Sequence, residues 1–380
     1  DQPRSRGLGD VYKRQVLETC STRREVQERM AHCRIFVGTV ATLSAKAELF
    51  RLKTFDVALI DEATQILEPQ LLGLLCMRGV TGGNAIGKFV LIGDHKQLPA
   101  VVLQSSEQSE VYDEGLRTIG LCNLKDSLFE RFYRNAMKQR SACCLQPSTG
   151  DSQSSVAGSP FSALRSLDIL CRQGRMNVEV AAFPNHAFYG GLLQPVGLEH
   201  QTGSLKLSPE LSTNEFAALL TRRVAFLPST PEPPMQSVKM NHSEARIVAR
   251  LAAAVFQQYV SANGCFKASA LGIITPYRSQ IALIKKEIAA LDIPALNDVL
   301  VDTVERFQGS ERDIIIYSFC VNRAYQLRLL ANLTEENGIQ IDRKLNVALT
   351  RARKQMFITG VPQLLEQNPI YSRLLKYCRL

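Results

Sequence analysis

The 380-residue chain has no tryptophan, and aromatic residues make up only 7% of it. An extended wall of aromatic platforms on which bases stack is therefore excluded. Ten cysteines are present, but none form a Cys-x-x-Cys pair. Zinc sites need clustered ligands, and disulfide frameworks belong to much shorter secreted chains, so these cysteines read as free thiols of a reducing compartment. No apolar run approaches the roughly 18 residues needed to span a bilayer. The N-terminal stretch also lacks the apolar segment of a secretory signal, so no membrane is expected as a partner. No Met opens the chain; the first is Met30. Residues 1–15 (DQPRSRGLGDVYKRQ) are basic, aperiodic and fit no element, as expected of a truncated reading frame with non-native residues at its front.

What is present is ordinary for a globular protein: 45% hydrophobic and 21% charged residues. At about 150 residues per domain, the length predicts two or three domains. Lys and Arg number 45 against 36 Asp and Glu, a surplus of +9 that is compatible with a phosphate-bearing partner without proving one.

Strand-like and helix-like runs alternate. Residues 33–40 (CRIFVGTV), 55–61 (FDVALID) and 88–94 (KFVLIGD) read as strands buried on both faces, and residues 66–76 as a short helix. Residues 146–166 are rich in Ser, Gly and Pro and read as an insertion or linker. Beyond it, residues 223–228, 270–275, 298–304, 313–321 and 355–360 read as strands. Helices are expected over 175–189, 241–260, 277–290 and 343–353. The alternation predicts an α/β protein with parallel sheets. The expected division is a poorly defined start (1–32), a first unit (33–145), the linker (146–166) and a second unit (167–380).

Four stretches carry chemistry. Asp61 and Glu62 end an apolar strand, and the carboxyl edge of a parallel sheet is where such folds bind ligands. In phosphoryl transfer one such acid helps hold Mg²⁺ and its neighbour orients or deprotonates the attacking water. The plain alternative is an acidic pair opening a helix, and taken alone it is the better wager. Residues 88–100 (KFVLIGDHKQLPA) repeat the pattern: Gly93 and Asp94 end a strand, and Gln97 follows in a loop able to reach a terminal phosphate. The other two stretches are residues 302–313 (DTVERFQGSERD) and 345–353 (LNVALTRAR). Arg351 and Arg353, one residue apart on the expected helix, would not share a face. Either arginine alone reads as a solvated helix charge.

Together and in this order these stretches resemble superfamily 1 helicases, in the branch of nonsense-mediated-decay RNA helicases and replication nuclease-helicases. IDEATQ (residues 60–65) resembles motif II and GDHKQLPA (93–100) motif III. Residues 170–191 (LCRQGRMNVEVAAFPNHAFYGG) resemble motif IV, though Gly174 stands where the branch usually has Tyr. ITPYRSQ (274–280) and VDTVERFQGSERD (301–313) resemble the next two motifs, and NVALTRAR (346–353) resembles motif VI. The resemblance implies two RecA-like parallel-sheet units, the first truncated at its N-terminus. It implies ATP and Mg²⁺, with Asp61 as the metal-holding acid, Glu62 activating water and Gln97 sensing the γ-phosphate. Arg175 and Arg351 would stabilise transition-state charge. Gln65, Gly93, Asp94, Gly309 and Glu311 would attend the nucleotide or couple it to the strand. Thr39, Thr275, Thr303 and Arg278 would grip a single strand by its phosphates. Thr39 reads equally well as a strand-end hydroxyl satisfying the backbone.

One part is missing. Gly82 to Lys88 (GGNAIGK) superficially matches a phosphate loop, but Phe89 replaces the Ser/Thr and the match precedes a strand instead of following one. The P-loop is expected in an upstream part of the same protein, any nuclease domain of the parent would lie outside these residues, and these residues alone are expected to be inactive. The implied activity is ATP-dependent 5′-to-3′ movement on single-stranded nucleic acid, with DNA favoured over RNA. The expected setting is cytoplasmic or nucleoid-associated, nuclear if eukaryotic. The competing reading is a catalytically silent nucleic-acid clamp.

Overall fold

Val, Ile and Phe crowd the short apolar runs, and in the computed structural model most of these runs become parallel strands. The structure describes residues 20–144, 166–233, 237–336 and 338–379. The linker assigned to residues 146–166 and the start at residues 1–19 lie, but for Ser166, outside the described residues. The chain divides into two units. The first holds Asp1–His95 and Pro99–Leu167, and the second holds Lys96–Leu98 and Asp168–Leu380. No helix among the described residues is long and apolar enough to cross a membrane.

In the first unit, β1 (Phe55–Ile60) pairs in parallel with β2 (Ile86–Leu91), in register from Phe55 opposite Ile86 to Ile60 opposite Leu91. Helices α1 (Arg23–His32), α2 (Val40–Ala45), α3 (Glu68–Leu75), α4 (Glu114–Thr118) and α5 (Leu128–Cys144) accompany them. Ile60, Ala63, Leu71, Leu74, Ile86 and Leu128 form the core. Glu68 on α3 and Arg131 on α5 make a buried ion pair, with Nε to Oε2 at 2.8 Å.

Two expectations fail here. Residues 33–39 form no strand: no neighbouring strand offers them a hydrogen-bond ladder, and Ile35 and Val37 are 84% and 90% exposed. The β1–β2 sheet is not buried on both faces either, since Val57, Leu59 and Val90 point outward. Within the start expected to be poorly defined (1–32), α1 is a formed helix. Thr22 caps its start by accepting from Glu25 N, and Lys53 Nζ caps its end by donating to Met30 O at 2.8 Å and Cys33 O at 2.6 Å.

The second unit is built on five parallel strands in the spatial order β5, β11, β8, β6, β7. These are β5 (Val224–Pro228), β6 (Leu271–Ile274), β7 (Leu300–Asp302), β8 (Arg312–Ser318) and β11 (Ala352–Gly360). Between them run two residue-pair strands, β3 (Arg172–Gln173) with β4 (Gln194–Pro195), and an antiparallel hairpin of β9 (Leu333–Glu336) and β10 (Ile339–Asp342). Both faces of the five-stranded sheet are covered. Successive side chains alternate across a strand, so Ile314 and Ile316 enter one core cluster and Ile315 and Tyr317 the other. The first pair packs with α7 (His242–Asn263) and α8 (Arg278–Ala289), following on from α6 (Val178–Phe188). The second packs with α6 itself and, after the short α9 (Val304–Phe307), with α10 (Arg343–Leu349) and α11 (Pro369–Arg379).

The expected helix over 343–353 stops at Leu349. Arg351 lies in the turn that follows, and Arg353 is already in β11. The two arginines are therefore separated by a change of element, not by helical phase. A register shift between Ala352 and Gln355 re-aims Arg353 and Lys354, which pair with Asp313. From β6 the chain runs outward to β7, then returns to β8 and continues the other way to β11. The carboxyl ends of β6 and β8 therefore flank the point where strand order reverses.

Candidate functional site

In the first unit, the parallel pairing continues past the strands: Ile92 N donates to Ile60 O and Ala63 N to Ile92 O, each at 2.8 Å. This ties the Asp61–Glu62 turn to the Gly93 segment. Gly93 is needed there, since a Cβ would stand 3.0 Å from Thr64 Cγ2 and 3.1 Å from Thr64 N. Asp61 is exposed, and its Oδ1 accepts from Glu62 N at 2.9 Å. Glu62 has φ 53° and ψ 36°, a left-handed conformation uncommon for a residue with a Cβ. Its Oε2 accepts from Gln65 Nε2 at 2.6 Å. Asp94 is half-buried beyond β2, and His95 next to it stacks on Tyr133 with centroids 4.1 Å apart. Thr39 is exposed and caps α2, accepting from Thr42 N at 3.1 Å. Residues 82–88 run through a turn into β2, and Lys88 lies within that strand.

In the second unit, the arginines gather at the amino-terminal end of the parallel sheet. The loop at residues 309–311 leads into β8, and Gly309 takes φ +73° there, a conformation glycine adopts without strain. Glu311 pairs with Arg175 (Nε to Oε2, 3.0 Å) and Arg353 (Nε to Oε1, 3.6 Å). Arg175 also donates to Thr350 O at 3.3 Å. Its turn is braced by Gln173, whose Oε1 accepts from Arg175 N and Met176 N, while His200 Nε2 meets Arg175 O at 2.9 Å. Arg351 is 2% exposed. Its guanidinium donates to Val347 O at 3.0 Å, Thr350 Oγ1 at 3.1 Å, Ser310 O at 3.4 Å and Gln97 Oε1 at 3.0 Å.

The threonines lie at the opposite, carboxyl end of the same sheet. Thr275 follows β6 and is fully buried, and its hydroxyl has no hydrogen-bond partner among the described residues. It lines a cavity of about 30 Å³ with Pro276, Glu305, Tyr317 and Lys344, at the point where strand order reverses. Lys344 pairs with Glu305 at 3.1 Å. Burial opposes the Glu305 charge, but hydrogen bonds from backbone and side chains together with the Lys344 ammonium bring its carboxyl below the usual range. Thr303 follows β7 at the N-cap position of α9 without a side-chain cap hydrogen bond, and Arg278 opens α8 exposed to solvent.

Within the second unit the structure thus brings Gln97, Arg175, Arg351, Gly309 and Glu311 together at one sheet end, and Thr275 and Thr303 at the other. Sequence reasoning missed Asn346, whose amide donates to Lys96 O beside Gln97, and Tyr189, whose hydroxyl accepts from the same amide. Asn346 opens the motif VI stretch, and its role depends on a residue 250 positions earlier, which no local pattern reveals. It also missed Glu244 on α7, fully buried, whose carboxylate accepts from Ser318 Oγ, Cys320 N and Ser229 Oγ. Among the described residues no group of three or more His, Cys, Asp or Glu side chains is arranged to hold a metal ion by itself.

Comparison with known proteins gives a consistent result. One AAA domain family matches residues 154–363, more than half of the chain, and a second AAA domain family matches residues 10–105. An uncharacterized ATP-dependent helicase of Methanocaldococcus jannaschii is 26% identical over 94% of this chain and 43% of its own length. The DNA polymerase alpha-associated DNA helicase A of Saccharomyces cerevisiae is 26% identical over 90% of this chain and 44% of its own length. The DNA replication ATP-dependent helicase/nuclease DNA2 of Gallus gallus is 29% identical over 89% of this chain and 26% of its own length. The chain thus spans less than half the length of these curated relatives.

Proposed function

The chain belongs to the AAA-domain superfamily 1 helicases, in the branch of nonsense-mediated-decay RNA helicases and replication nuclease-helicases, and on that premise we propose that it is the motor part of an ATP-dependent helicase or translocase. Both sheets would be RecA-like, the first completed by an upstream part of the same protein that carries the phosphate loop. The substrate is single-stranded nucleic acid, DNA before RNA, with 5′-to-3′ movement. The observation that carries this reading is the grouping of Gln97, Arg175, Arg351 and Glu311 at one end of a parallel sheet whose other end carries the orphaned Thr275 hydroxyl.

Asp61 and Glu62 present oxygen donors only, which suits a hard cation that keeps waters and substrate phosphates as its remaining ligands. Asp61 would hold Mg²⁺, which when bound neutralises phosphate charge. Glu62 accepts the proton of the attacking water, Gln97 orients toward the terminal phosphate, and Arg351 and Arg175 offset transition-state charge. Thr275, Thr303, Thr39 and Arg278 contact strand phosphates, which carry no sequence information.

The test uses the parent protein that includes its phosphate loop. Arg351→Ala lowers ATP turnover by about 10³–10⁵, or roughly 4–7 kcal/mol of transition-state stabilisation, and leaves strand binding intact. Near-normal turnover removes Arg351 from the site. The turn at residues 82–88 favours a second reading, a clamp without turnover. ATP hydrolysis that Glu62→Gln abolishes would exclude it.

A further inference from the structure

Asn346 on α10 is fully buried. Its Nδ2 donates to the main-chain carbonyl of Lys96 and to the Tyr189 hydroxyl, each at 2.8 Å. A carbonyl oxygen can only accept, so chemistry fixes which way the amide points. That orientation leaves Asn346 Oδ1 buried with no hydrogen-bond partner among the described residues. An apolar side chain of similar volume would avoid the cost of an orphaned acceptor. What the asparagine gains is a grip on one main-chain carbonyl.

The rest of the segment is held as firmly. Lys96 Nζ donates to Phe188 O at 2.9 Å and pairs with Glu336 at 3.0 Å. The ammonium also lies 5.8 Å from the Tyr189 ring centroid. Leu98 is buried in the second unit's core with Met176 and Val180. Between these two anchors stands Gln97, whose Oε1 accepts from Arg351 Nη2 at 3.0 Å.

We propose that Asn346 is a positioning residue: it clamps the main chain at Lys96, with Tyr189 orienting its amide, so that Gln97 meets the Arg351 guanidinium in one geometry. The clamp stands on the contacts above; its consequence for turnover rests on the proposed function. Without the clamp, Gln97 wanders and Arg351 loses one of the acceptors that fix its rotamer.

Limited trypsinolysis of the whole chain tests the clamp directly. The protease must take Lys96 as its cleavage residue, which requires the segment to leave its seat. Asn346→Leu keeps the branched heavy-atom skeleton and removes the donors, and it should speed cleavage of the Lys96–Gln97 bond about tenfold, since cleavage follows the population of the opened segment. Cleavage at exposed Arg24 should not change. Tyr189→Phe keeps the ring and removes only the hydroxyl, and should give about a threefold rise. Native-like cleavage at Lys96 in a folded Asn346→Leu protein overturns the proposal. If that variant does not fold, unchanged cleavage in Tyr189→Phe overturns it. In the parent ATPase the same variants should lower kcat about tenfold with KM for ATP unchanged, whereas a role in packing alone would leave kcat intact. A parent without ATP turnover would sink the functional reading, and the trypsin result would still decide the clamp.

Discussion

Glu244 makes the stability of the second unit depend on pH in a direction opposite to that of most carboxylates. It lies in the first turn of α7, fully buried, and burial pushes its carboxyl up from 4.5 to about 7 against the opposing hydrogen bonds from Ser318, Cys320 and Ser229. The unfolded chain releases this proton near 4.5, whereas the folded protein keeps it to about 7. Between those values the native state binds more protons, so stability falls as pH rises. The contribution is fully present below 4.5 and lost as pH passes 7. At about 1.4 kcal/mol per unit, the loss is about 3 kcal/mol. Glu244→Gln keeps the shape and removes the titration. With no tryptophan in the chain, urea unfolding is best followed by circular dichroism, at pH 5, 6, 7 and 8. The wild-type stability minus that of Glu244→Gln should fall by up to about 3 kcal/mol across that range. Asp342, whose buried carboxyl is also pushed up, is common to both proteins and cancels in the difference. A flat difference would refute the argument, and a difference that rises with pH would mean that hydrogen bonding to the charged form outweighs burial.

Other positions give sharper local tests. Gly272→Ala would place a Cβ 2.6 Å from the Phe307 ring and 2.9 Å from Arg312 Cγ, so it should lower stability by about 1–3 kcal/mol in a thermal melt. Thr275→Val should leave the melting temperature unchanged or raise it, because the buried hydroxyl has no partner, yet weaken single-strand binding several-fold. Unchanged affinity would remove Thr275 from the strand path. Oligonucleotides of differing sequence should bind the parent protein alike, with affinity falling steeply as salt rises. A strong base preference or a flat salt response would count against phosphate tracking.

Sequence by itself located the second unit's five parallel strands and the helices Val178–Phe188, His242–Asn263 and Arg278–Ala289, because apolar residues dominate the strand runs and these helical runs are long, but it suggested neither the β9–β10 hairpin nor α11. Residues 313–321 and 355–360 needed no partner to be legible, and the order of acids, glutamine and arginines along the chain pointed to phosphoryl transfer. Tertiary structure decided what local pattern cannot encode. Residues 33–39 are apolar enough for a strand, but none forms where no ladder is offered. The helix expected to carry Arg351 ends at Leu349 because β11 must begin at Ala352 to pair with Arg312. Arg351 therefore sits in a turn, where its guanidinium meets Gln97. Asn346 reaches Lys96 across 250 residues, and Glu244 reaches Cys320 across 76. Such contacts depend on which elements the parallel sheet brings side by side. That is a property of the pairing of distant strands, and no window of neighbouring residues contains it.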